Sequence, residues 1–274
     1  PIKAEDDKFG PINGKDKTVT PSVLENDKLN DNKVDPKDVK ITVEKPADPR
    51  NPGEPVPTLD PNTGKVTINP ETPAGEYKIE YKICEVLNPT NCDNAVITIT
   101  VVAPEIEAID DAVSGINGKD GKDNVINALT NDKLNRVIVD PSEVTLKVGG
   151  NKVTSPVSFK DKDGKTATGV VLNADGSVDV KPETAAGKYT LDYSICEVLN
   201  PTNCDVATIT VTVDAAPIKA EDDTFGPING KDKTVTPSVL DNDKLNGKPV
   251  IPSEVEIKVE KPADPRNPGE PVPT

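Results

Sequence analysis

The sequence predicts an all-β protein built of tandem antiparallel β-sandwich repeats. Three observations lead there. Val, Ile and Thr dominate the apolar stretches. Apolar residues recur at every second position rather than at helical spacing. The chain also repeats itself, since residues 1–58 and 217–274 align without a gap and differ at ten positions.

The alternation is clearest in residues 75–102, which return almost unchanged as 187–214. Tyr77, Ile79, Tyr81 and Ile83 fall on one face, and Lys78, Glu80 and Lys82 on the other. After an Asn-Pro turn, Ile97, Ile99 and Val101 alternate with Thr98 and Thr100. This is a hairpin with one buried face, and the tyrosines belong to the core side of it. Cys84 and Cys92, like Cys196 and Cys204, are separated by seven residues in a chain without histidine. That set is a poor zinc site and lacks the Cys-x-x-Cys spacing of a redox-active pair. It predicts two local disulfides, Cys84–Cys92 and Cys196–Cys204, and an oxidising compartment. Closing so short a loop contributes about 2.5 kcal/mol in the chain-entropy picture.

Within a repeat, the acidic opening Ile2–Asp7 reads as a short first strand, and the Gly-, Asn- and Pro-rich stretch to Asn30 as a long loop. Val39, Ile41 and Val43 give the next strand. Residues 45–58 hold five prolines and read as a stiff surface excursion. The second copy replaces it with a hairpin turning at Asp163-Gly164. A turn at Gly64 or Gly176 and a further strand lead into the terminal hairpin. About seven short strands in roughly 105 residues point to an Ig-like antiparallel sandwich.

The expected domains are an Ig-like repeat at 1–103, a second at 104–216, and the leading half of a third at 217–274. That half lacks the terminal hairpin, so it is expected either to be cut short or to be completed by strands from a neighbouring chain. The chain opens mid-pattern at Pro1, which reads as an excised fragment. Linkers without a Gly/Ser tract predict a rod rather than a flexible string. With three Phe and four Tyr, each core is expected to be small and aliphatic. A net charge of −15 argues against nucleic acid and anionic membrane surfaces as partners. No apolar run reaches the ~18 residues of a membrane span.

The Asp6-Asp7, Gly10, Val23-Leu24-Glu25-Asn26-Asp27-Lys28-Leu29-Asn30 pattern resembles the opening of bacterial Ig-like or cadherin-like tandem repeats. So does the Asp175-Gly176, Pro182, Gly187, Tyr189, Tyr193 pattern later in the second copy. The Ile-Cys-Glu-Val-Leu-Asn-Pro-Thr-Asn-Cys-Asp stretch is similar to repeats of very large Bacteroidetes surface proteins, including gliding-motility adhesins of the SprB kind. The resemblance covers both whole repeats and the partial third. It implies export to the cell surface, by the type IX route, and a stalk or adhesin role. Ala128-Leu129-Thr130 departs from Val-Leu-Glu and leaves the Asn131-Asp132 counterpart intact.

The acidic clusters are the candidate sites. Asp6, Asp7, Asn26 and Asp27 recur as Asp110, Asp111, Asn131 and Asp132, and again as Asp222, Asp223, Asn242 and Asp243. Two readings stand side by side. Calcium takes six to eight oxygens, which adjacent aspartates and an Asx-rich loop can supply, and the resemblance implies calcium near repeat junctions. Alternatively the same side chains bond their own backbone and make turns. Enzymatic activity is not expected: without histidine there is no Ser/His/Asp or Cys/His nucleophile system. The expected role is a spacer segment of an extracellular, cell-surface adhesin whose partners are neighbouring repeats of the same chain. The alternative is a module that binds a surface glycan or protein through the variable residues 44–58 and 149–169.

Overall fold

The computed structural model describes all 274 residues, and the protein is all-β as expected. Helix is limited to three single 3-10 turns, Val23–Glu25, Pro36–Asp38 and Pro252–Glu254.

The first repeat is a sandwich of two sheets. One holds, in spatial order, Asp7–Asn13, Cys92–Val102, Gly75–Glu85 and Val39–Lys45. The other holds Thr18–Ser22, Lys65–Ile68 and Thr58–Leu59. The terminal hairpin pairs Ile97 with Ile79, Ile99 with Tyr77 and Cys92 with Cys84, and the Cys84–Cys92 disulfide closes it. The first long strand joins the last one in parallel, Asp7 beside Ile97 and Phe9 beside Ile99. Four strands facing three, with alternate residues turned inward, is the Ig-like plan.

Alternation sets the core. Tyr77, Ile79, Tyr81, Ile83, Ile97, Ile99 and Val101 are all buried, against Val66 and Ile68 of the opposite sheet. Each aliphatic side chain so enclosed contributes about 1.5–3 kcal/mol. The second repeat has its own core, built around Phe159, Tyr193, Ile195 and Ile209, and the two cores share no residue. Its Cys196–Cys204 disulfide repeats the first.

Two expectations are corrected. The stretch after the acidic opening is not one long loop, because Asp7–Asn13 and Thr18–Ser22 both run through it as strands. Pro21 cannot donate to the ladder, which is why the segment reads as loop. The buried Thr20 fills the gap: its hydroxyl accepts a hydrogen bond from the Val66 N–H at 2.9 Å. The second correction concerns residues 149–169. The hairpin at Asp163-Gly164 forms, with Val157–Lys160 paired to Thr166–Leu172 and Asp161 holding the Asp163 and Lys165 amides. A further small hairpin precedes it, Val144–Val148 with Asn151–Lys152. Lys160 also pairs with Thr190, so the layers of the second repeat join into one nine-stranded sheet. The prolines of 46–57 leave the first repeat without this bridge.

Residues 217–274 form three two-residue strands, Ile218–Lys219, Lys244–Leu245 and Lys248–Pro249, and no sandwich.

Candidate functional site at the ends of the repeats

Two constellations recur in phase with the repeat. One is a carboxylate–tyrosine node near its leading end. The other is a latch that ties the trailing end of one repeat to the leading end of the next.

In the node, Asp7 begins the first long strand, Asp27 follows the 3-10 turn, and Tyr81 projects inward from the terminal hairpin. The Tyr81 hydroxyl lies 3.1 Å from Asp7 Oδ2 and 3.3 Å from Asp27 Oδ2. Asp27 Oδ1 also accepts the Glu5 N–H at 2.8 Å. The second repeat builds the same node. Tyr193 lies 3.3 Å from Asp111 Oδ2 and 3.0 Å from Asp132 Oδ1, and Asp132 accepts the Ile109 N–H. All four aspartates and both tyrosines are buried. Burial pushes the Asp7 carboxyl up to about 7 and those of Asp27, Asp111 and Asp132 up to about 6. Burial, then the facing carboxylates, raises both tyrosines far above the ordinary phenol.

The remaining cluster residues are anchors for strands. Asp6 Oδ1 accepts the Val96 N–H at 2.9 Å, and Asp110 Oδ1 accepts that of Thr208 at 2.8 Å. Asn26 and Asn131 donate to the carbonyls of Asp6 and Ile109. In residues 217–274, Asp243 still accepts the Glu221 N–H and Asn242 donates to the Asp222 carbonyl. Asp223 has no tyrosine to meet. The arrangement supplies the backbone anchoring of the second reading. One carboxylate oxygen each of Asp6, Asp27, Asp110 and Asp132 accepts a backbone N–H, and no group of three or more His, Cys, Asp or Glu side chains converges in this structure.

The latch begins in Ile12–Asp16. Asn13 Oδ1 accepts the Lys15 N–H, which shapes the turn, and Asn13 Nδ2 donates to Asn135 Oδ1 of the next repeat at 2.8 Å. Asn135 returns a bond to Asp16 at 3.1 Å. Lys15 Nζ sits 2.7 Å from Glu71 of its own repeat and 2.5 Å from Glu143 of the next. Burial alone would lower the Lys15 ammonium, but these two carboxylates outweigh it and hold the group above the usual lysine range. The second junction repeats the set. Asn117 donates to Asn246 and Asn246 to Asp120, each at 2.7 Å. Lys119 meets Glu183 at 2.8 Å and Glu254 at 2.6 Å.

Local backbone explains these residue types. Asn30, Asn135 and Asn246 each open a tight turn with positive φ at two successive residues, a conformation asparagine tolerates well. Glu71 and Glu183 hold φ of 62° and 63°, a strained setting for glutamate, and each reaches its lysine from there.

A third contact belongs to the first junction. The hairpin tip Val198–Asn203 seats on the trailing end of the first repeat. Asn200 Oδ1 accepts the Ala74 N–H at 2.9 Å, and Arg50 donates to Asn200 and to the Leu199 carbonyl. Asn200 is buried there, while its counterpart Asn88 on the first repeat is exposed. Arg50 lies in the proline-rich excursion, so this variable segment is engaged by a neighbouring repeat. Sequence reasoning missed the latch. Its signal was present: Ile-Asn-Gly-Lys-Asp stands unchanged at 12–16, 116–120 and 228–232.

No family model and no curated protein matches this sequence. Solved structures do. The human Desmocollin-1 ectodomain is 12% identical, with a TM-score of 0.29, over 78% of this chain and 41% of that one. Drosophila N-cadherin EC1-3 is 15% identical, TM-score 0.26, over 78% and 65%. Mouse Cadherin-23 EC22-24 is 13% identical, TM-score 0.29, over 77% and 62%. The matched region spans less than two thirds of each of these chains. At such scores the likeness carries no argument, and the Ig-like assignment rests on strand order and pairing.

Proposed function

We propose that this chain is a spacer segment of an extracellular, cell-surface adhesin, in which each repeat is a structural unit latched to the next. The observation that carries the reading is the repetition of one latch, Asn13–Asn135 with Lys15–Glu143 and then Asn117–Asn246 with Lys119–Glu254. A module selected for binding a ligand has no need to rebuild the same internal contact at successive junctions. The two local disulfides fit an oxidising, extracellular setting. A place in gliding motility is the finer form of this proposal and draws on the sequence resemblance alone. The partners of the segment are then its own neighbouring repeats.

The test is the distance distribution between spin labels on the two whole repeats of the full chain. A narrow, long distribution is expected, and Lys15→Ala combined with Asn135→Ala should broaden it. A compact particle, or a distribution that the double variant leaves unchanged, sinks the proposal. The latch bonds join protein groups directly, so this rigidity needs no cation. Melting temperatures in EDTA and in millimolar calcium should coincide, whereas a ligand held a hundredfold over its dissociation constant would add about 2.7 kcal/mol.

A further inference from the structure

Asn30, Asn135 and Asn246 open the same tight turn in successive copies, but the residue after each differs: Asp31, Arg136 and Gly247. In an Asn-Gly pair no Cβ shields the following amide, so its nitrogen reaches the asparagine side-chain carbon most readily. Gly247 is exposed, its N–H makes no hydrogen bond, and a Cβ placed on it would meet nothing. The other Asn-Gly pairs of the latch differ. The Gly14 N–H is committed to the Val102 carbonyl at 3.1 Å, and the Gly118 N–H to that of Asp214 at 3.0 Å. Of the latch asparagines Asn13, Asn117, Asn135 and Asn246, the last alone precedes a glycine whose amide is uncommitted.

In the closed junction the Asn246 carboxamide is held at both of its ends. Its Oδ1 accepts from Asn117 Nδ2 and its Nδ2 donates to Asp120 Oδ1, each at 2.7 Å. Lys119 closes the same junction through Glu254 at 2.6 Å. A carboxamide tied to the second repeat is not at liberty to turn onto its own backbone. Opening the junction releases it.

We propose that Asn246 is a deamidation site gated by the latch, shielded while the second junction is closed and converted to aspartate or isoaspartate once it opens. This rests on the latched junctions of the reading above. The Gly247 nitrogen gives its proton to solvent and bonds to Asn246 Cγ. The Cγ–Nδ2 bond breaks and ammonia leaves. Water then opens the cyclic imide at either carbonyl carbon, with no oxidant or reductant involved. Either product puts a carboxylate where the Nδ2 donor stood, facing the Asp120 carboxylate. Like charges at that separation repel, so the junction does not close again. The first junction, with Arg136 after Asn135, stays reversible.

The experiment incubates the full chain at mildly alkaline pH and follows deamidation by mass mapping of tryptic fragments. Asn229-Gly230, whose asparagine side chain bonds only within its own turn, is the internal clock. Asn246 is expected to convert more slowly than Asn229. Asp120→Ala should speed Asn246 about tenfold and leave Asn229 unchanged, the protection that one side-chain hydrogen bond supplies. Lys119→Ala, which opens the junction without touching an Asn246 partner, should speed it as well. An Asn246 rate that either variant leaves unchanged overturns the gating, and no conversion at Asn246 in any of the three chains overturns the site. Distances between spin labels on the second repeat and on 217–274 read the consequence, and Asn246→Asp should broaden them. If Asn246→Asp leaves them unchanged while Lys119→Ala broadens them, this proposal falls and the latch stands. If neither broadens them, the latch falls too.

Discussion

At Tyr81 and Tyr193 a single phenol O–H faces two buried carboxyl groups, and this sets how each repeat responds to pH. Asp7 titrates at about 7 in the folded protein, and Asp27, Asp111 and Asp132 at about 6, against 3.8 ordinarily. Between those values the folded state keeps protons that the unfolded chain releases. The stabilisation is full below about pH 4 and is lost as pH rises through 6 and 7. In the other direction, turn aspartates such as Asp60, Asp140 and Asp161, held low by backbone N–H bonds, lose their contribution as pH falls below 3.8. Thermal melts should therefore give a higher Tm at pH 5 than at pH 8. Tyr193→Phe should destabilise the second repeat by about 1–3 kcal/mol. It should also steepen the fall with pH, because the phenol O–H supports the charged carboxylates. A pH series of melts on both proteins reads both effects. The aspartates were visible in the sequence, but their job was not. Asp27 and Tyr81 are 54 residues apart, and nothing local tells a carboxylate that meets a tyrosine from one that meets a cation.

At the scale of the element, the trailing turn of each whole repeat depends on a close backbone approach. Gly118 donates to the Asp214 carbonyl and accepts from Thr184 N–H. A Cβ there would lie 2.1 Å from the Thr184 carbonyl oxygen and 2.7 Å from Val213 Cγ1. Gly118→Ala should lower the stability of the second repeat by about 1–3 kcal/mol and loosen the adjoining Asn117 and Lys119 contacts. The same change at Gly230, where a Cβ meets nothing, should be silent. Differential scanning calorimetry of the two variants makes the comparison. The terminal hairpin was legible in full, because period-two alternation and paired cysteines act within one short stretch. Thr18–Ser22 was hidden because Pro21 interrupts it and the ladder shifts register there, with the Thr20 hydroxyl taking the Val66 N–H. The latch was hidden because Asn13 and Asn135 meet across 122 residues, where a repeated pentapeptide reads only as a turn.

Across the whole molecule, the order of strands decides how tension would pass through it. Each whole repeat is entered along Asp7–Asn13 or Asp111–Asn117 and left along Cys92–Val102 or Cys204–Asp214. These first and last strands are neighbours and run parallel. A pull on the two ends therefore slides one strand past the other along their shared axis. The bonds between them lie across the pull and must yield together, whereas a hairpin opened from its free end yields one bond at a time. Single-molecule stretching of the full chain should record two high-force ruptures, one per sandwich. A chain built this way would hold its length under load and fail one repeat at a time.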